Sequence, residues 1–76
     1  MPHVIVKMHS GRSDAQKARL VEAITKVVMA EAVCAESGVS VAIEDVEPAD
    51  WVENVYKPDI RGKWDQLHKK PGYDPL

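Results

Sequence analysis

His3-Val4-Ile5-Val6-Lys7-Met8-His9 alternates with a period of two. Val4, Val6 and Met8 project to one face, and His3, Ile5, Lys7 and His9 to the other. One face is wholly apolar and the other mixed, as in a strand that covers a core on one side only. Val39 to Val46 repeats the pattern, with Val39, Val41 and Ile43 on one face and Ser40, Ala42 and Glu44 on the other. What joins the two stretches decides how they pair.

Ser10-Gly11-Arg12 breaks the first stretch, and Ser13-Asp14-Ala15-Gln16 then fits a capping box, with Asp14 complementing the helix dipole. Leu20, Ile24, Val27 and Val28 recur at helical spacing, flanked by Val21, Ala23 and Ala32. The pattern predicts a helix of roughly 20 residues, about 30 Å long. Gly38 is the expected left-handed exit. Strands of roughly 23–26 Å match such a helix laid diagonally across them. The expected unit is a right-handed βαβ crossover with parallel strands, an α/β (α+β) fold.

Beyond Val46, Glu47-Pro48-Ala49-Asp50-Trp51 reads as a turn into a short helical segment. Pro58 is expected at a helix start, because it breaks a helix interior. Ile60, Trp64 and Leu67 then mark an additional C-terminal helix reaching Lys69-Lys70 and stopped by Pro71-Gly72. No internal repeat interrupts what reads as a single domain over residues 1–76.

A chain of 76 residues buries too little surface to stand easily alone, and its only cysteine, Cys34, excludes an internal disulfide. His3, His9 and His68 lack the spacing of a zinc site, so no metal is expected. Two strands are not a stable sheet in water, and the face carrying Ile5, Ala42 and Val46 needs cover. Both shortages point to a homodimer with a four-stranded sheet completed by dimerisation, with a higher oligomer left open. The net charge of −2 and the absence of a basic stripe argue against nucleic acid. No apolar run is long enough to span a membrane, and the start lacks a signal-peptide pattern, so a cytoplasmic location is expected.

Pro2 stands immediately before the first strand, where it should be held in place. Removal of Met1, usual before a small residue, would leave it a free secondary amine. The run Pro2-His3-Val4-Ile5-Val6 followed by Gly11-Arg12-Ser13-Asp14-Ala15-Gln16-Lys17 resembles the 4-oxalocrotonate tautomerase family, and the likeness continues through Val46. The carboxyl half, with Trp51, Trp64 and Lys69-Lys70-Pro71-Gly72-Tyr73, resembles the family's dimeric subgroup active on phenylpyruvate-like enols. The resemblance implies that Pro2 is the catalytic base and that Arg12 engages a substrate carboxylate or oxyanion. Trp51 would form a substrate-binding wall. Ser40 stands where the family has a second arginine, so a monoacid with an apolar or aromatic body fits better than a dicarboxylate.

The resemblance thus implies an isomerase, a cofactor-independent enol–keto tautomerase of small 2-hydroxy-2-enoic acids such as phenylenolpyruvate or 2-hydroxymuconate. Two rivals stand beside it. One is a hydratase or dehalogenase of unsaturated acids, with Glu44 or Asp45 activating water. The other is a non-catalytic dimeric module that binds a small ligand. Lys57 and Arg61 are candidates to replace the missing cation. Lys7, His9 and Trp64 are read first as structural, and Cys34 as a small helix residue.

Overall fold

In a computed structural model describing residues 1–76, the two alternating stretches form parallel strands, β1 (His3–His9) and β2 (Ser40–Val46). They run in register from His3 opposite Ser40 to His9 opposite Val46. Partners across a parallel pair share a face. Val4, Val6 and Met8 therefore lie with Val41, Ile43 and Asp45. The opposite face carries His3, Ile5, Lys7 and His9 with Ser40, Ala42, Glu44 and Val46. Pairing continues one step past β1, where Ser10 N–H donates to the Val46 carbonyl at 3.1 Å. The chain then turns at Gly11, whose φ of +119° favours a residue without Cβ.

The connecting helix, α1, is Asp14–Glu31. Its capping box forms as the sequence predicts. Gln16 N–H donates to Ser13 Oγ at 3.1 Å, and Ser13 N–H donates to Gln16 Oε1 at 2.8 Å. Lys17 hydrogen-bonds Asp45, which ties α1 to the apolar face of the sheet. The helix ends earlier than expected. Val33, not Gly38, takes the left-handed conformation, with φ of +52°. Ala32 N–H returns to the Val28 carbonyl, and Cys34 N–H reaches back to the Met29 carbonyl at 3.3 Å. The Cys34 bond is the 6→1 bond of a Schellman-type exit with valine where glycine is usual, and it places Cys34 just outside the helix. Gly38 instead closes a short turn beside Met1.

The carboxyl half departs further from expectation. A single turn at Pro48–Asp50 leads through Trp51 into Val52–Ile60, which winds as a π-helix with Pro58 inside it. In an α-helix the Pro58 ring would collide with the Asn54 carbonyl, and the wider winding moves that carbonyl away. Arg61–Gln66 then tightens to a 3₁₀ helix, ending four residues short of the predicted stop. A Cβ on Gly62 would lie 3.0 Å from the Lys57 carbonyl oxygen, so the close approach of these turns needs glycine.

This segment covers part of the mixed face. Lys7 Nζ meets Asp59 at 2.6 Å, and the His9 ring meets Trp51. Val55 and Tyr56, both in the π-helix, are the two buried residues, and Tyr56 is completely so. Ile5 remains half exposed, at 53%, so the cover is incomplete. The radius of gyration is 14.0 Å, against about 11 Å for a compact chain of this length. The accessible surface is 5590 Å², roughly 1,000 Å² more than a folded monomer of this mass typically exposes. Both strands also keep an unpaired outer edge. No helix is long and apolar enough to cross a membrane.

Candidate active site

Register dictates where the expected site residues fall. Pro2 precedes β1 and accepts a hydrogen bond from Ser40 N–H through its carbonyl, at 3.2 Å. Ser40 Oγ lies 2.6 Å from His3 Nδ1. Pro2, His3 and Ser40 thus form one polar cluster at the leading end of the sheet. Met1 is fully exposed there, and while it is attached the Pro2 nitrogen is an amide without basicity.

Arg12 and Trp51 stand at the other end. Arg12 Nη1 donates to the His9 carbonyl at 2.9 Å, which folds the guanidinium back along the turn. The His9 ring meets the Trp51 ring edge-on, with centroids 4.9 Å apart. A cavity of about 460 Å³ opens beside them, lined by His9, Pro48, Trp51, Val52, Tyr73 and Pro75. Trp51 Nε1–H donates to the Tyr73 hydroxyl at 3.0 Å. Seven residue steps from Pro2 to His9 separate the two ends by roughly 23 Å. A single chain therefore does not bring Pro2 and Arg12 together. The expected site residues thus fall into two groups, Pro2 with His3 and Ser40 at one end and Arg12 beside an apolar cavity at the other.

The other candidates are already engaged. Lys57 pairs with Glu53 one turn away at 2.7 Å. Arg61 pairs with Asp74 at 2.8 Å and lies over the Trp64 ring at 4.7 Å. The nearby Tyr56 and Asp74 hold its guanidinium above the usual arginine value. Asp45 is bonded to Lys17, and Glu44 lies 3.9 Å from Lys7. No group of three or more His, Cys, Asp or Glu side chains is arranged to hold a metal. A larger groove along α1, between Val21, Thr25 and Met29, contains none of the expected site residues.

The sequence by itself gives Tyr73 no site role, and His9 reads first as structural. Period-two alternation does put His9 on the same face as Lys7, but nothing local indicates that the tail returns to meet Trp51. His3 reads likewise as a strand residue. Its position opposite Ser40 follows from the parallel register.

The strand–helix–strand unit, with its carboxyl segment folded against one face, is the fold of a tautomerase. The family model described as "Tautomerase enzyme" matches residues 2–55, and the chain belongs to that family. It is accordingly an enzyme of the isomerase class. A "Probable tautomerase" of Xylella fastidiosa (strain 9a5c) is 43% identical over 76 residues, covering 100% of this chain and 93% of that protein. "Tautomerase PptA" of Cronobacter sakazakii is 39% identical over 75 residues, covering 97% of this chain and 99% of the relative. "Tautomerase PptA" of Klebsiella pneumoniae (strain 342) is 42% identical over 74 residues, with 96% and 97% covered.

Proposed function

We propose that the chain is a cofactor-independent enol–keto tautomerase of small 2-hydroxy-2-enoic acids with an apolar or aromatic body, such as phenylenolpyruvate. It works as a homodimer with Pro2 as the base. The observation that carries the reading is the division of the site into two half-sites at opposite ends of β1. A two-fold axis perpendicular to the strands makes the strands of the two protomers antiparallel, which sets the Pro2 end of one beside the Arg12 end of its partner, and does so twice. The excess surface of roughly 1,000 Å² is of the order that one partner buries in a standard interface.

Removal of Met1 makes Pro2 a secondary amine. An α-amino group ordinarily titrates at about 7.7–8.0, and a secondary amine is more basic still. A guanidinium placed nearby and removal from water both disfavour the ammonium form, leaving the amine free to act near neutral pH. The amine takes the enol O–H proton and leaves an enolate, whose oxygen lone pair closes to C=O as the C=C pair moves onto carbon. That pair accepts the same proton from the prolinium, which restores the base. Arg12 of the partner holds the substrate carboxylate and stabilises negative charge on the oxygen. The cavity beside Trp51 receives the apolar body. The carboxylates needed for the hydratase reading, Glu44 and Asp45, are engaged by Lys7 and Lys17.

The test is intact mass together with turnover. Protein lacking Met1 should ketonise phenylenolpyruvate, and Pro2→Ala should lose at least about 100-fold in kcat/KM, as expected on removing a positioned general base, with an unchanged circular dichroism spectrum. Equal activity in Pro2→Ala sinks the mechanism.

A further inference from the structure

Asp74 makes a three-point strap that holds the carboxyl tail to the body. Asp74 accepts from the Tyr56 hydroxyl at 3.3 Å, from Arg61 Nη2 at 2.8 Å and from its own downstream Leu76 N–H at 3.1 Å. Tyr56 is completely buried, so the strap is anchored in the best-packed part of the molecule. Its effect is to set the neighbouring residue, Tyr73, at the mouth of the cavity that His9 and Trp51 line.

The Tyr73 phenol has one donor proton and two acceptor lone pairs. Its oxygen accepts the Trp51 indole N–H at 3.0 Å, which fixes the ring and occupies one lone pair. Its own proton goes to no protein acceptor. The remaining lining is largely apolar, with Pro48, Val52 and Pro75 beside the Trp51 face. An aromatic ring filling such a space meets one oriented hydrogen-bond donor at its rim. Pockets that recognise small ligands are commonly built this way, with apolar walls and a few placed polar groups.

We propose that Tyr73 is a specificity-determining residue. Its hydroxyl donates to an oxygen on the distal end of the substrate's aromatic body, so that hydroxyphenyl acids are preferred over unsubstituted phenyl acids. Asp74 is the positioning residue that keeps Tyr73 there. The proposal rests on the reading of this end of the sheet as half of the active site. It adds which member of the substrate class that half selects.

The test uses two acids that cannot tautomerise, 3-phenylpropanoate and 3-(4-hydroxyphenyl)propanoate. Their binding to the full-length protein lacking Met1 is measured by titration calorimetry. Wild type should bind the hydroxylated acid about 3–10-fold more tightly, the range of one net hydrogen bond. In Tyr73→Phe that preference should fall below about two-fold, with the affinity for 3-phenylpropanoate little changed. Asp74→Ala should lose the preference too, although its Tyr73 is intact. A merely structural role would weaken both acids alike. No preference in wild type, a preference kept in Tyr73→Phe, or no saturable binding of either acid would overturn the proposal. Phenylenolpyruvate turnover, followed in the same preparations, separates the two readings. Binding preference without turnover counts against the proposed reaction, and turnover without preference counts against Tyr73.

Discussion

Lys7 Nζ lies 2.6 Å from Asp59 Oδ2 across 52 positions of sequence, and this contact fastens β1 to the carboxyl helical segment. The hydrogen bond to Asp59 holds the Lys7 ammonium above the ordinary lysine value of 10.5, helped by the charges of Asp59 and Glu44 and opposed by desolvation. A raised folded-state value means that the contribution is complete below 10.5 and lost as pH rises through the folded value. The urea midpoint of wild type should therefore exceed that of Asp59→Asn at pH 8, and the gap should close as pH passes 10.5. A gap that stays constant to pH 12, well past the ordinary lysine value, would remove the ion pair from the account.

Val33 adopts φ of +52° while 86% exposed, so the strain of a β-branched residue in the left-handed region is offset by little packing. Val33→Gly should raise stability by about 1 kcal/mol, since that region costs non-glycine residues roughly 1–2 kcal/mol. Chemical denaturation at neutral pH reads this directly, and a destabilised variant would contradict it.

The capping box of α1 supplies a local measure. Ser13→Ala removes the acceptor for Gln16 N–H and should cost about 1 kcal/mol in urea unfolding. Because the change is confined to the first turn, ligand preference at the Trp51 cavity should not move.

Asp74 titrates in the opposite sense to Lys7. The Leu76 backbone N–H, with Arg61 and Tyr56, holds its carboxyl below the ordinary value of 3.8. The contribution of a depressed carboxylate is complete above 3.8 and is lost as pH falls through the folded value. The Trp51 indole N–H resonance reports the bond to Tyr73. It should hold steady down to pH 3.8 and shift only below it, while in Asp74→Asn it should be shifted already at neutral pH.

What was legible in the sequence is the part governed by local rules. Period-two alternation located both strands to within a residue, and Ser13 with Gln16 marked the start of α1, because each signal depends on near neighbours. The exit of α1 misled, since Gly38 is the better left-handed residue and yet Val33 takes that role. The carboxyl half is decided by distant contacts. Pro58 sits inside a helix only because the winding there is wide, and Lys7, His9 and the buried Tyr56 hold that segment in place. Tyr73 meets Trp51 across 22 positions, and no periodicity encodes such a return. The expected site residues could be named from a resemblance. Pro2 and Arg12 flank β1 in the sequence itself, whereas Ser40 opposite His3 and Trp51 against His9 followed only from the register and the fold.

The central claim is that each active site takes Pro2 from one protomer and Arg12 from its partner. Pro2→Ala and Arg12→Ala chains, each nearly inactive alone, can be unfolded together, refolded and assayed as a mixture. A shared site gives every mixed dimer one intact site of two, so phenylenolpyruvate ketonisation should recover to about a quarter of wild type. Recovery near zero, with mixed dimers shown to have formed, would contradict the shared site.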